Sequence, residues 1–451
     1  MIHKFSQNGF NIVVDVYSGM VHVLDDTAYE ALNYFEVLDD HSMIEKLSDK
    51  HSRDDIIEAL DELKYLKEQG ILFTKNPYKD LRKAEEERPL IKALCLHIAH
   101  DCNLRCKYCF ASTGDFGHSR GLMSLETAKT AIDFLLTNSG ARKKLEVDFF
   151  GGEPLMNFEV VKETVKYGRE REKESGKNIR FTLTTNGMLL TDEVMDFVNK
   201  NMSNLVLSID GRQEVNDRVR HRVDSSGTYK HILPLIKAAA DSRSQENYYV
   251  RGTFTRHNLD FAEDVLHLAD LGFKQVSVEP VVASVDKDYA LKNEDVDIIC
   301  KEYERLTTEF IKRQKEGNGF NFFHFQLELE NGPCVSKRLK GCGAGDEYIA
   351  ITPEGEIYPC HQFVGNERFL MGNVNNGILD EGIRRQFKGS NIFTKEKCKE
   401  CWCKFYCSGG CAANAWLYNK DVNIPYELGC ELQKKRVECA LIVKAALNSE
   451  E

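Results

Sequence analysis

Between residues 89 and 290, apolar runs of strand length alternate with apolar positions at helical spacing. Candidate strands lie at Ala93–Ile98, Leu145–Phe150, Ile179–Thr184, Asn204–Ile209, Tyr249–Phe254 and Gln275–Glu279. Helical patterns intervene at Ser124–Thr137, Phe158–Glu174, Thr191–Lys200, Tyr229–Ala240 and Leu259–Leu271. Six such units predict an α/β fold with a parallel sheet and helices outside it, as an open barrel or a doubly wound sheet.

Residues 1–75 follow a different rhythm. Short alternating stretches at Asn11–Asp15 and Met20–Leu24, joined by Tyr17-Ser18-Gly19, predict two strands. Asp25-Asp26 caps a helix expected from Ala28 to Leu38. A second is expected from Ser52 to Glu68, with Ile56, Ile57, Leu60, Leu63 and Leu66 on one face, and Ile71-Leu72-Phe73 reads as a closing strand. That order predicts a small, separate winged-helix-like unit. Residues 76–88 are charged and contain Pro77, as a linker does. Residues 291–330 read as a helical bridge with a charged helix from Glu294. Residues 331–451, rich in cysteine and glycine, read as a domain held by metal as much as by its core.

Charge and composition narrow the function. The 451 residues carry a net charge of −11, which argues against a general nucleic-acid surface, and no apolar run reaches signal-peptide or membrane-span length. A reducing, cytoplasmic setting is expected, without nucleic-acid or membrane partners. Disulfides are disfavoured there, and 15 cysteines is an odd count. None precedes Cys95, and most lie in two bursts, Cys102–Cys109 and Cys398–Cys411, which points to metal or cluster ligation. Cys95, Cys300, Cys403 and Cys439 are left as packing residues.

The first burst, Cys102-x3-Cys106-x2-Cys109, directly follows the first strand of the parallel sheet. Three thiolates on one tight loop can hold three irons of a [4Fe–4S] cluster and leave the fourth for a chelating amine and carboxylate. Zinc would need a fourth ligand, for which His97, His100 and His118 qualify by proximity only. In such folds reactive loops gather at the C-terminal ends of the strands. Those loops are Gly151-Gly152-Glu153-Pro154, Thr184-Thr185-Asn186-Gly187, Ser208-Ile209-Asp210-Gly211 and Glu279-Pro280. Glycines admit close backbone approach, Glu153 can accept from an ammonium, and Ser208 and Asp210 suit ribose hydroxyls. Singly, each loop could be an ordinary turn.

Cys-x3-Cys-x-Tyr-Cys followed by Gly-Gly-Glu-Pro closely resembles the radical S-adenosylmethionine (SAM) superfamily, over roughly residues 89–280. The resemblance implies a partial (β/α)6 barrel and a cluster on Cys102, Cys106 and Cys109 whose open iron binds SAM. It further implies cleavage of SAM to a 5′-deoxyadenosyl radical that removes hydrogen from a substrate. By position it implies Tyr108 against the adenine, the Gly151–Pro154 loop at the methionyl amine, Ser208 near the ribose, and Arg220 as a carboxylate contact.

The second burst is Cys398-x2-Cys401-x5-Cys407-x3-Cys411, with Cys430 beyond it and Cys342-x12-Gly355-x4-Cys360 upstream. On spacing alone, zinc knuckles remain open. The full arrangement resembles the SPASM extension of radical SAM enzymes that act on peptides and proteins, over Cys342–Cys430. That resemblance implies two auxiliary clusters, for three [4Fe–4S] clusters in all. Cys342, Cys360 and Cys411 would hold one, and Cys398, Cys401, Cys407 and Cys430 the other. Cys334 is the candidate fourth ligand of the first; failing that, a substrate thiolate could coordinate there.

A winged-helix-like unit ahead of such a body resembles the elements that bind leader peptides of ribosomally made natural products as an added strand. Domain order and residues 1–40 look most like maturases of six-cysteine (SCIFF) precursor peptides, which join cysteine sulfur to carbon. The expectation is a thioether-forming maturase of the sactipeptide or ranthipeptide kind. Its partners would be a cysteine-rich precursor with a leader and a low-potential donor such as ferredoxin or flavodoxin. A formylglycine-forming sulfatase maturase is the nearest rival enzyme. In that family an aspartate base follows the cysteine of the Cys360 type, where this chain has His361. A zinc-stabilised peptide-binding scaffold is the non-enzymatic rival.

Overall fold

A computed structural model describes residues 1–78, 90–117, 119–329 and 335–448. The N-terminal unit opens with three antiparallel strands, β1 (Ile2–Gln7), β2 (Phe10–Asp15) and β3 (Val21–Leu24), in that order across the sheet. β1 is additional to the two strands predicted; a turn at Asn8-Gly9, with φ of 53° and 80°, folds it onto β2. Helices follow at Asp26–Ala31, Asp40–Leu47 and Arg53–Glu68. The helix expected to reach Leu38 therefore stops at Ala31, and Asp39 caps a new one by accepting from the Ser42 amide. No strand forms at Ile71–Phe73, because Phe73 takes a left-handed φ of 54° that breaks an extended run. On the third helix Ile56, Leu60 and Leu63 are buried, but Ile57 faces outward.

Side chains of β2 alternate between two cores. Val13 joins Leu24, Leu60 and Leu63 beneath the unit's own helices. Ile12 and Val14 pack against Val437, Leu441 and Ile442 of the C-terminal helix Glu427–Asn448. A shared apolar core thus joins the N-terminal sheet to the cysteine-rich region. The linker expected at 76–88 lies, from residue 79 on, outside the described residues.

Six parallel strands form the centre: β4 (Ala93–His100), followed after the two-residue β5 (Gly121–Leu122) by β6 (Lys144–Gly151), β7 (Asn178–Thr185), β8 (Asn204–Ser208), β9 (Tyr248–Phe254) and β10 (Gln275–Pro280). Each pairs with the next in parallel, and helices cross between them, including Gln213–Val219, which the apolar pattern does not predict. Every residue of β4 is buried, as expected of a parallel strand covered on both faces. The helix Val296–Lys315 leads to β11 (Asn321–Phe322) beside β10.

Beyond it, β12 (Tyr348–Ile351), β13 (Glu356–Tyr358), β14 (Gly372–Asn373) and β15 (Gly377–Ile378) pair antiparallel in succession. β12 also pairs in parallel with β4, so one sheet runs from the barrel into the cysteine-rich region. Among the described residues no helix is long and apolar enough to cross a membrane.

Leu441→Ala removes a side chain from the core shared by the N-terminal sheet and the C-terminal helix. It should cost about 2–4 kcal/mol, read as a lower Tm in a thermal melt; an unchanged Tm would mean the two regions do not share this core.

Candidate active site

Just beyond β4, the loop carrying Cys102, Cys106 and Cys109 is pinned on two sides by backbone hydrogen bonds. Gly152 N donates to Ala99 O (2.8 Å) and Glu153 N to Asp101 O (2.9 Å). On the other side Arg105 N donates to His221 O (2.7 Å) and Lys107 N to Val219 O (2.8 Å). The first contact needs glycine: a Cβ on Gly151 would overlap the Ala99 carbonyl, and one on Gly152 the Asp101 carbonyl. Gly151 also has a φ of 123°, which other residues rarely adopt.

Burial pushes the Cys102 thiol up to about 12 and Cys106 up to about 11, and raises Cys109. The three stand close enough to disfavour one another's ionisation. They become thiolates only with a compensating positive charge, such as iron supplies. His97 and His100 pair with each other, ring nitrogens 3.0 Å apart, in a fully buried position. His118 lies outside the described residues.

Three residues expected around SAM form one buried network. The Tyr108 hydroxyl donates to Asp210 Oδ2 (2.7 Å) and accepts from an Arg220 terminal nitrogen (3.0 Å). Asp210 also accepts from Thr253 N (3.0 Å). Among the described residues the buried Arg220 Nε has no hydrogen-bond partner, an orphaned donor that a ligand carboxylate would satisfy. The fully buried Glu153 accepts from Leu155 N (3.0 Å), Asn186 N (2.8 Å) and Thr185 Oγ1 (2.9 Å), while burial raises its pKa to about 7. It thereby fixes the loop after β7, from which Asn186 Nδ2 reaches Asn103 Oδ1 (2.7 Å) and, weakly, Cys102 Sγ (3.6 Å). In the sequence Asn186 is one residue of a candidate reactive loop, with no role of its own. Pro154 opens a short turn to Asn157, and Ser208 ends β8 half-buried. The donor set of three thiols, an orphaned guanidinium nitrogen and glycine-opened backbone fits a cluster with SAM.

The remaining cysteines fall into two groups. Burial raises the pKa of Cys360, and Cys411 and Cys342 add to that; Cys360 is buried, and the other two are exposed. Cys398, Cys401, Cys407 and Cys430 line one cavity of about 300 Å³. Burial pushes Cys430 up to about 12 and Cys398 up to about 11. Cys334 lies outside the described residues. Among the described residues no three His, Cys, Asp or Glu side chains form a single-ion site. Four thiolates on different irons of one cluster are spaced more widely than ligands of one ion. Beside Cys360, the His361 ring lies 5.3 Å from Phe110 and 5.0 Å from Phe150, and its Nδ1 is 3.2 Å from the Tyr348 hydroxyl. Burial lowers its pKa to about 4, so the imidazole is neutral.

Residues 96–278 match the family model described as the Radical SAM superfamily, and residues 342–402 match SPASM, described as an iron–sulfur cluster-binding domain. The chain thus combines a radical SAM domain with a SPASM domain, which implies [4Fe–4S] clusters and SAM. It is 24% identical to the radical SAM cyclopropyl synthase TigE of Paramaledivibacter caminithermalis, over 96% of this chain and 92% of that one. It is 24% identical to a cysteine-type anaerobic sulfatase-maturating enzyme of Clostridium novyi, over 72% of this chain and 87% of that one. It is 26% identical to the mycofactocin maturase MftC of Mycobacterium tuberculosis, over 72% and 80%. Of solved structures, anSMEcpe with bound AdoMet superposes with a TM-score of 0.65 at 20% identity, over 79% of this chain and 99% of that one. SuiB of Streptococcus suis bound to S-adenosylmethionine gives 0.54 at 16% identity, over 95% and 98%.

Two substitutions test this site. Cys102→Ala should lower iron by about one cluster's worth and abolish release of 5′-deoxyadenosine; retained release would refute the ligand assignment. Gly152→Ala, by displacing the cysteine loop, should slow SAM cleavage by about 10²-fold in the same assay.

Proposed function

We propose that this chain installs cysteine-to-carbon thioether crosslinks in a ribosomally made, cysteine-rich precursor peptide, and that residues 1–75 hold the peptide's leader. The observation that carries this reading is the outer edge of β3, on a sheet fixed to the cluster-binding region. Among the described residues no strand pairs with that edge, and Val23 and Met20, 56% and 41% exposed, give it an apolar strip suited to an added strand. The β1 strand is engaged elsewhere: His3 Nε2 lies 2.9 Å from Glu438, and its ring stacks on Trp402 at 3.7 Å.

In this reading the chain holds three [4Fe–4S] clusters on the cysteine groups described. SAM, when bound, supplies abstraction of a hydrogen atom from the peptide. For each C–S bond formed, the peptide loses that hydrogen atom to the adenosyl radical, one thiol proton to solvent and one electron, which an oxidised auxiliary [4Fe–4S] cluster would accept. The protein's own part is to hold the reactants. The glycine-opened loops and the Tyr108–Asp210–Arg220 network would seat SAM, and the exposed side of Cys342 and Cys411 offers a place for a substrate sulfur.

Formylglycine formation has weaker support, since neutral His361 stands where that reaction's aspartate base is expected and the sulfatase-maturating relative covers 72% of this chain. The 96% of this chain covered by a cyclopropyl synthase favours a second reading, carbon–carbon ring closure on the same scaffold.

Mass spectrometry separates these outcomes. A small cysteine-rich peptide encoded beside this gene should, after anaerobic incubation with reconstituted protein, SAM and reductant, lose two hydrogens and show one cysteine resistant to alkylation. The same mass loss with every cysteine still alkylatable would shift the assignment to ring closure, and a thiol exchanged for an aldehyde would shift it to formylglycine. For the leader, Val23→Asp should weaken binding of the full precursor about tenfold without affecting the leaderless core peptide. Equal affinity for the precursor would sink the leader assignment.

A further inference from the structure

A buried lysine lies between the two auxiliary cysteine groups. Lys395 is 4% exposed, and its ammonium donates to the Gly409 carbonyl oxygen (2.8 Å). Gly409 is the middle residue of Cys407-Ser408-Gly409-Gly410-Cys411, the segment that leaves one cysteine group and enters the other. Ser408, Gly409 and Gly410 have φ of 58°, 85° and 72°, three successive left-handed residues. They turn the segment back over Ile392 and Lys395, which a Cβ on Gly409 would meet at 3.5 and 3.7 Å. The thiols that act on the Lys395 charge are Cys398, Cys407 and Cys430 of one group and Cys411 of the other. No carboxylate among the described residues forms an ion pair with it. A buried ammonium without a counter-charge is costly. Thiolates that hold iron–sulfur clusters carry that counter-charge.

We propose that Lys395 is the shared counter-charge of the two auxiliary clusters and raises the reduction potential of both together. This rests on the reading that Cys342, Cys360 and Cys411 hold one cluster and Cys398, Cys401, Cys407 and Cys430 the other. A fixed positive charge stabilises the more negative, reduced state of a nearby cluster, and net charge is one of the terms that set cluster potentials. Because Lys395 sits at the junction, it acts on two clusters. Lys404 provides the contrast: it is 2% exposed and bonds the Lys399 carbonyl (2.8 Å), but the thiols acting on it, Cys401 and Cys398, belong to one group.

The test is an anaerobic redox titration followed by electron paramagnetic resonance on the full, reconstituted chain. Lys395→Met and Lys395→Gln, the latter still able to donate to Gly409, should retain iron and move both auxiliary signals to lower potential. Lys395→Arg should stay near the parent, and Lys404→Met should move only the signal of the Cys398 group. Loss of auxiliary iron in both neutral variants but not in Lys395→Arg would likewise support a counter-charge. Unchanged potentials at full iron content, or a shift confined to one cluster in the Lys395 variants, would overturn the proposal. A parent protein without two auxiliary clusters by iron assay and Mössbauer spectroscopy would overturn the cluster reading instead.

Discussion

Tyr348 to Ile351 of β12 lie in parallel register against Ala93 to Leu96 of β4, and the placement of every reactive group depends on that short ladder. β4 runs on into the Cys102 loop, while β12 stands between Cys342 and Cys360, so a single seam relates the radical SAM loop to the SPASM cysteines. A parallel ladder fixes direction and offset together. The Glu347 carbonyl extends it by accepting from Lys92 N (2.8 Å) and Ala93 N (3.1 Å). Ile349, Ala350 and Ile351 are fully buried, which makes the seam part of the barrel's core. The cysteine-rich region is tied to the barrel by this strand and by Leu428, Leu432, Ala440 and Val443 of the C-terminal helix, which join the barrel's core.

The electrostatics of the first site follow from burial. Tyr108, Asp210 and Arg220 leave water as a set, each compensating another, and Glu153 is held by three hydrogen bonds from the β6–β7 side of the barrel. Such networks are stable when every member is satisfied and expensive when one is not. The member left over is Arg220 Nε. The thiols show the same incompleteness, since burial holds them protonated. Both deficits have the sign that cluster and ligand would correct: positive iron for the sulfurs, a carboxylate for the guanidinium. The protein alone is thus electrostatically unfinished at the place proposed for the cluster and SAM.

The six barrel strands were legible in the sequence because their short apolar runs stand between helical patterns: β4 is apolar throughout, while β6, β7, β8 and β9 alternate buried and less buried positions with a period of two. The first cysteine group was legible from its spacing on one tight loop, whereas the division of the later cysteines into two groups was an expectation from the resemblance to SPASM. β1 left a trace that the apolar pattern did not capture: Asn8-Gly9 is a strong hairpin signal, and its left-handed pair turns Ile2–Gln7 onto β2. β12 was not legible. Its four residues are too few to show a period, and their partner lies in the barrel, far back along the chain. The role of Glu153 also escaped, because its partners Thr185 and Asn186 become neighbours only when β6 and β7 pair. In each case the missing information was a tertiary neighbour.

The N-terminal sheet shows how few free surfaces remain once neighbours are counted. One face lies under its own helices, the other against Val437, Leu441 and Ile442. His3 of β1 engages Glu438 and Trp402 through its side chain, and among the described residues no strand pairs with the outer edge of β3. Trp402 sits between Cys401 and Cys403, and the Lys404 ammonium lies 4.8 Å over the Tyr17 ring, so the loop bearing a cysteine group is also a wall of the N-terminal unit. A strand added to β3 would lie on a unit packed against that loop, which would raise the effective concentration of the following segment there. The same rigidity carries a constraint. A transplanted recognition unit would have to reproduce the apolar surface of Ile12 and Val14 and the stacking surface of His3, or it would leave the C-terminal helix and the cluster loop exposed. If the sheet is the recognition unit proposed, recognition and redox machinery share one packed core, and exchanging the sheet alone would disturb both.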